Sequence, residues 1–330
     1  MEQGGTCVPP CSECVLAVEV WTMKTTEKPV RLPQRRRTSL DYRESIWGYT
    51  FIAPMLLGFL IITVAPVIAT FAYSLTNKNM MSRTTSFIGM ENYVNLFKDK
   101  TFRSTMMQTL EFTVLLIPSN LVLTLALAVL LKEKFRGCGF FRTAVFTPVV
   151  TSVVVWGLLW KYIFQANTGL VNSVLKMFGI VGPKWLLDLK LAIPVSVFVT
   201  LIKGLGMNTV MFIGAMLEVP QDYYEAASLD GASKWKQFFS ITLPNIAPTI
   251  FLVLIMTAIG SLKVFGQVKA LSNGGPGTSS YVMVYYIYQT AFKYYDFGYA
   301  SAASVVLFLM ILILTIVQWK LRKKWVYYED

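Results

Sequence analysis

Six long apolar stretches constrain this chain more than any other feature of its sequence. They run from Trp47 to Ser74, Phe112 to Leu131, Thr143 to Trp160, Leu191 to Leu217, Pro244 to Val268 and Phe297 to Trp319. A helix needs about 20 mainly apolar residues to cross the hydrocarbon core of a bilayer. In lipid, backbone groups must pair within a helix or a closed barrel, and these runs lack the alternation of barrel strands. The sequence therefore predicts an all-α integral membrane protein with six transmembrane helices.

The distribution of positive charge predicts an orientation in the membrane. An even number of spans places both termini on one side, where the tails and loops carry 17 Lys and Arg residues, against 10 on the other side. Because Lys and Arg accumulate in cytoplasmic loops, we expect both termini to be cytoplasmic. The net charge of +12 follows from this bias, and its spread over several loops argues against a nucleic-acid partner.

The two ends of the chain differ in composition from the apolar region between them. We expect residues 1–44 to form a disordered, basic cytoplasmic tail, 45–320 to form the six-helix domain, and 321–330 to form a short cytoplasmic tail. Met23 directly precedes the more basic part of the first tail and is an alternative start of the protein.

Three cysteines lie close together in the first tail, at Cys7, Cys11 and Cys14. A closed zinc site requires four ligands, the chain has no histidine, and the fourth cysteine, Cys138, follows two predicted spans. No metal site is therefore predicted.

A polar segment, "EAASLDGASKWKQFFSITLP", interrupts the apolar pattern within the 218–243 loop. Asp222 suits the first turn of a new helix, and Gly231 can adopt the left-handed conformation that ends it. Ser233 can cap a second short helix, and Pro244 suits the start of the fifth span. These signals predict two short helices joined at a glycine. Their pattern is compatible with a docking surface or with a turn that only connects two spans.

The same segment resembles a known family signature. Glu225-Ala226-Ala227, three residues, Gly231, nine residues, Ile241, one residue and Leu243-Pro244 match the cytoplasmic motif of permeases from binding-protein-dependent ABC importers. The stretches 87–99, 140–150 and 271–304 resemble the sugar-permease branch, which includes the maltose and glycerol-3-phosphate permeases. The resemblance covers roughly residues 45–320.

This resemblance implies a type I ABC importer permease fold with a cytoplasmic coupling helix, in a bacterial or archaeal cytoplasmic membrane. The loop at 221–239 would enter a cleft on the ATP-binding subunit. The coupling residues implied are Glu225, Ala226, Ala227, Asp230, Gly231, Leu243 and Pro244. The implied partners are a homologous second permease, two subunits that bind ATP and Mg, an extracytoplasmic solute-binding protein, and a sugar or sugar derivative. No cofactor is expected on this chain.

Two lysines lie within predicted spans, where a charged group costs about 2.5–3.5 kcal/mol on insertion scales. Such groups usually face a partner or a wet cavity, so Lys203 and Lys263 are candidates for the solute pathway. Polar, aromatic or flexible residues flank both of them, namely Gly204, Asn208, Phe265 and Gln267. Snorkelling of a lysine from the end of a span is the competing interpretation, above all for Lys263.

A turn-forming cluster precedes the sixth span on the predicted outer side. Gly274, Gly275 and Pro276 are typical of a turn, and the resemblance implies that this turn approaches the solute-binding protein or the pore mouth. The competing interpretation is a plain loop.

The source of energy follows from motifs that the sequence lacks. It has no GxxxxGK[ST] phosphate-binding loop, so we expect a transport subunit that is not itself an ATPase. The alternative is an ion-coupled secondary transporter of a small polar solute. Proton-coupled carriers commonly use buried acids or histidines, and the sequence offers neither in the middle of a span, but sodium coupling through backbone carbonyls stays open.

Overall fold

The computed structural model describes residues 39–82, 85–133 and 136–325. Its α-helices are α1 Ser39–Phe59, α2 Ala65–Ser74, α3 Glu91–Lys98, α4 Lys100–Lys132, α5 Cys138–Val150, α6 Val153–Ile163, α7 Leu170–Met177, α8 Ala192–Glu218, α9 Gln221–Leu229, α10 Lys234–Gln237, α11 Leu243–Asn245, α12 Ala247–Leu262, α13 Gly266–Leu271, α14 Met283–Tyr288 and α15 Phe297–Trp325. Short π-helical turns occupy Leu60–Val64, Phe238–Thr242 and Gln289–Lys293. Over the described ranges, extended pairing is limited to two isolated bridges, which confirms the all-α prediction.

The described residues fall into two units that divide between Leu60 and Ile61. In the first unit, α1 begins at Ser39, before the boundary at 44 that composition suggested for the tail. The cysteines predicted not to bind metal, Cys7, Cys11 and Cys14, lie outside the described residues. All contacts given below belong to the second unit.

Four helical segments are long and apolar enough to cross a membrane, and two bent helix pairs raise the number to six if each pair is one span. The four segments are Ile46–Ser74, Lys100–Lys132, Ala192–Glu218 and Phe297–Arg322, and they match the predicted first, second, fourth and sixth spans.

The predicted third span, Thr143 to Trp160, is not one helix. It consists of α5 and α6, which meet at an angle of 108°. Thr151 and Ser152 separate them in extended conformations, three residues after Pro148, whose ring nitrogen cannot donate to the helix. The prediction of an uninterrupted helix was wrong here, because an apolar run does not reveal where the backbone turns.

The predicted fifth span, Pro244 to Val268, is also broken. A helical run from Lys234 to Asn245 meets α12 at 69° around Ile246. Pro244 therefore lies inside a helix rather than at the start of the span, and Pro248 occupies the first turn of α12 instead. Pro248 has no N–H to donate to the carbonyl of Pro244, four residues earlier. One helical hydrogen bond is therefore missing, which explains the break between these two prolines.

The helices α4 and α8 run parallel in the centre of the second unit. Near their starts, Phe112 packs in one buried cluster with Val197. Near their ends, Ala128 packs in another with Phe212 and Met216. The bundle therefore has two ends: α8 leads into α9 at one of them, called the loop end, and the loop after α12 lies at the other, called the far end.

Candidate functional site

The loop end carries the two short helices that the sequence predicted. The α9 helix ends in a Schellman motif, in which the Ala232 amide donates to the Ala227 carbonyl at 2.9 Å and the Gly231 amide donates to the Ser228 carbonyl at 3.1 Å. Gly231 has φ +73°, as this motif requires. The Ser233 hydroxyl then accepts from the amide of Lys236 at 3.4 Å and caps α10. The local prediction is confirmed.

Two aromatic side chains join this loop to the bundle. Tyr224 from α9 and Phe238 from the π-helical turn pack against the buried cluster around Phe212 and Met216. The hydroxyl groups of Tyr224 and Thr242 lie 2.9 Å apart and form a hydrogen bond. The loop is therefore attached to the helix bundle through both of its arms.

The outer face of the loop is exposed and carries an aromatic stack. The Trp235 and Phe239 rings stack with centroids 6.2 Å apart, and Trp235 is 75% exposed. Leu229, at the end of α9, is 90% exposed. The predicted coupling residues Glu225, Ala226, Asp230 and Gly231 are exposed and Ala227 is half-buried, whereas Leu243 and Pro244 lie beyond the loop in α11.

Within the bundle, a cavity of about 610 Å³ opens between α4, α6, α8, α12 and α13. All six residues predicted for the solute pathway line it: Lys203, Gly204, Asn208, Lys263, Phe265 and Gln267. Sequence reasoning missed Asn120 and Ser261, which also line it. Both are small polar residues within apolar helices, and that is the signal that could have found them. Among the described residues, the lining contains two lysines and no acidic residue.

The wall formed by α4 and α8 carries paired polar groups. The Asn208 side-chain amide donates to the side-chain carbonyl of Asn120 at 2.8 Å. Between α12 and α4, the Ser261 hydroxyl donates to the Thr113 hydroxyl at 3.0 Å. These groups supply hydrogen-bond donors and acceptors inside an apolar bundle.

The two lysines have different surroundings. The Lys203 ammonium donates to the carbonyl oxygen of Pro148 at 2.9 Å and to that of Thr151 at 2.5 Å. Lys263 lies at the exposed end of α12, and none of the described residues accepts a hydrogen bond from its ammonium.

An aromatic group borders the cavity at the far end. The Phe265 ring lies 5.2 Å from the Tyr288 ring and 6.3 Å from the Tyr285 ring, measured between centroids. The Lys269 ammonium lies 4.0 Å from the centroid of Tyr288. Phe265 is half-buried and offers a flat apolar surface to the cavity.

The glycine-rich turn also lies at the far end. Gly274 has φ +82° and is buried, and a Cβ at this position would meet the rings of Tyr281 and Tyr285 at 2.5 Å. The absence of a side chain at Gly274 therefore lets the two tyrosine rings pack directly against the turn. Gly275 and Pro276 are half-buried. The exposed residues of the turn are Asn273, Gly277 and Thr278.

A polar contact holds α14 near the start of α4. The Tyr286 hydroxyl donates to the Asp99 carboxylate at 2.8 Å, and the same carboxylate caps α4 by accepting from the Thr101 amide at 2.8 Å. Burial raises the pKa of Tyr286, and the hydrogen bond to Asp99 raises it further. Tyr286 is therefore a stable donor at neutral pH.

Residues 120–325 match the family model described as the inner membrane component of binding-protein-dependent transport systems. The chain belongs to this family. It is 35% identical over 285 residues to the probable ABC transporter permease protein YurN of Bacillus subtilis, covering 85% of this chain and 97% of that one. It is 31% identical over 293 residues to the trehalose/maltose transport system permease protein MalF of Thermococcus litoralis, and this match covers 86% of this chain and 96% of that one.

A solved structure of the same fold is a chain of the bacterial alginate ABC transporter in complex with its periplasmic protein. Its TM-score is 0.78 at 23% identity, and the match covers 88% of this chain and 98% of that one. This similarity shows the type I importer permease fold. Family membership identifies the chain as a membrane-spanning transport component of an ABC importer, and this supports that function over ion-coupled secondary transport.

Proposed function

We propose that this chain carries a sugar or sugar derivative across the cytoplasmic membrane and receives the ATP-binding subunit on its 221–239 loop. The observation that carries the proposal is the placement of all six predicted pathway residues around one cavity. The helix α8 lines that cavity and leads directly into α9.

The chemistry of the cavity suits a polyhydroxylated solute. Ligand sites are mostly apolar, with a few placed polar groups that fix orientation. Here Asn120 and Asn208 supply amide groups, and Gln267 adds a third. The ring of Phe265 offers the apolar surface on which the C–H face of a sugar can lie. The relative from a trehalose/maltose system supports this class of solute.

The loop end suits a protein partner. Aromatic residues are enriched among the residues that dominate binding energy at protein interfaces, and the exposed stack of Trp235 and Phe239 has this character. Since Tyr224 and Phe238 attach the loop to the bundle, a displacement of the loop moves α8 and α12 as well. Closure of two ATP-binding subunits would in this way reorient the cavity.

The remaining partners complete the assembly. We infer a homologous second permease, two subunits that bind ATP and Mg, and a solute-binding protein that docks near Gly274, Gly275 and Pro276 at the far end. The charge bias of the loops supports a cytoplasmic position for both termini, on the side of the 221–239 loop. The far end is then extracytoplasmic.

Reconstitution tests the proposal. The chain is assembled with its companion permease, ATP-binding subunits and binding protein in liposomes, and uptake of labelled maltose, trehalose and lactose is measured with and without enclosed ATP. We expect uptake of at least one saccharide that depends on both ATP and the binding protein. Liposomes that contain this chain alone, under a sodium or proton gradient, serve as the control. Accumulation by the chain alone without ATP would contradict the proposal.

A further inference from the structure

The break between α5 and α6 lies beside α8 at the wall of the cavity. A helix end leaves its last carbonyl groups without partners inside the helix, and unpaired groups are costly in a membrane. One of these carbonyls, on Thr147, accepts from the Thr151 hydroxyl at 3.2 Å. The carbonyls of Pro148 and Thr151 need partners from elsewhere in the fold.

Lys203 supplies those partners. Its ammonium reaches from α8 to the Pro148 carbonyl in the last turn of α5 at 2.9 Å and to the Thr151 carbonyl in the break itself at 2.5 Å. A positive charge is also favourable at the C-terminal end of a helix. The lysine therefore stabilises the end of α5 by hydrogen bonds and by charge.

Neighbouring contacts show that α8 holds both halves of the broken segment. On the next turn of α8, a Cβ at Gly206 would lie 2.6 Å from the Val145 carbonyl oxygen, so the absence of a side chain allows α5 to approach closely. On the preceding turn, the Val199 carbonyl accepts from the indole N–H of Trp156 in α6 at 3.0 Å. Lys203 lies between these two contacts and acts on the break itself.

We propose that Lys203 is a positioning residue that clamps the α5–α6 break to α8, and that it affects transport through this break rather than by binding the solute. Its effect on transport rests on the proposed function; its effect on the shape of the break does not.

The clamp also has a consequence for α13, which lines the cavity as well. A Cβ at Gly266 in α13 would meet the Val153 side chain in α6 at 2.7 Å, and a Cβ at Gly157 in α6 would meet the Ala270 side chain at 2.5 Å. Because α6 and α13 fit together this closely, a change in the position of α6 shifts α13 too. A movement of α8, which leads to the 221–239 loop, can thereby displace α6 and α13 together.

Lys263 provides a matched control. It lines the same cavity with the same side chain, but its ammonium donates to none of the described residues. Replacing it removes a charge from the cavity without releasing the break.

The first experiment measures the shape of the break. Spin labels are placed at Phe140 in α5 and Tyr162 in α6, two exposed positions, in the complete assembly with its native cysteines replaced by serine. We expect a narrow distance distribution that Lys203→Met broadens or shifts, that Lys203→Arg largely preserves, and that Lys263→Met leaves unchanged. Lys203→Gln, which retains one donor group, replaces Lys203→Met if that variant does not assemble. An unchanged distribution in the Lys203 variant, or an equal change with Lys263→Met, would overturn the proposal.

The second experiment separates a clamp from a solute ligand. ATP-driven uptake of maltose, trehalose and lactose is compared in the unmodified assembly and in Lys203→Met, with Lys203→Arg as the rescue. If Lys203 is a clamp, Lys203→Met lowers the uptake of every transported saccharide at least fivefold. The loss differs by less than threefold between saccharides, and Lys203→Arg restores most of the uptake. Preserved uptake, or a selective loss of one saccharide, would overturn the proposal. If no saccharide is transported at all, the proposed function fails, and the label distances still decide whether the clamp exists.

Discussion

The side-chain amide of Asn208 donates to the side-chain carbonyl of Asn120 across 2.8 Å, and this bond joins α4 to α8 at the wall of the cavity. Asn120 is only 3% exposed. Its carbonyl would therefore lack a partner without Asn208.

This pairing predicts a coupled effect on stability. Asn208→Leu should destabilise the assembly by about 1–3 kcal/mol, because it leaves a buried polar group unsatisfied. The double variant Asn120→Leu/Asn208→Leu should recover part of this loss, since neither partner then remains unpaired. Thermal unfolding of the purified assembly measures both effects. Met207→Leu, at an exposed lining position, is the control, and strictly additive losses in the double variant would show that the two amides are not coupled.

Two glycines on α8 predict opposite responses to the same substitution. Gly206→Ala should destabilise the protein by about 1–3 kcal/mol, because the new methyl group would meet the backbone of α5. Gly204→Ala should be tolerated, since among the described residues its methyl group would meet the Asn120 amide nitrogen alone, at an ordinary contact distance of 3.6 Å. Thermal unfolding distinguishes the two variants, and an equal effect at both positions would refute the close approach of α5 to α8.

The left-handed conformation of Gly231 predicts sensitivity to any side chain. An L-residue in this conformation is disfavoured by about 1–2 kcal/mol, which corresponds to a roughly 5- to 30-fold shift in the population of the folded turn. Gly231→Ala should therefore weaken the stimulation of ATP hydrolysis by the loaded binding protein. No atom of the described residues lies within 4 Å of the added methyl group, so the change acts through the conformation of the backbone.

Gly139→Ala is the matched control for this variant. Gly139 has equal space around it but no positive φ, and it should tolerate alanine. Full stimulation by the Gly231→Ala assembly would mean that the turn has no role in coupling.

The exposed aromatic stack predicts a loss of binding without a loss of folding. Trp235→Ser should leave the melting temperature of the isolated chain unchanged, because most of the indole is exposed. If the ring enters a pocket on the ATP-binding subunit, its removal should weaken that association by about 2 kcal/mol or more, or roughly 30-fold. Titration of the ATP-binding subunit measures the affinity. Phe178→Ser removes a similarly exposed ring after α7, and it should leave this affinity unchanged.

Much of the loop end was predictable from local sequence signals. Gly231 and Ser233 act on backbone groups within a few residues of themselves, so their roles follow from their chemistry. The positions of Trp235 and Phe239 also follow from the chain, but their exposure does not. It depends on how Tyr224 and Phe238 attach the loop to the bundle.

Part of the cavity lining was predictable from the sequence, but the roles of its residues were not. Polar and charged side chains inside apolar segments indicated that Lys203 and Lys263 face a wet space, and both line the cavity. Their sequence contexts favoured snorkelling more for Lys263 than for Lys203, but they named no partner for either ammonium group. Only the position of the α5–α6 break shows that Lys203 has backbone partners.

The sequence by itself determined that the chain is helical and crosses a membrane, because long apolar runs in lipid must satisfy their backbone hydrogen bonds within the segment. It also determined the turn at Gly231, since that conformation depends on a single residue. Prolines in the third and fifth segments weaken the helix locally, but the tertiary structure decided how sharply each segment bends and which groups satisfy the broken ends. The carbonyl of Thr151 finds its donor 52 residues away, on another helix, and no local pattern can encode a contact that exists only once the helices have packed.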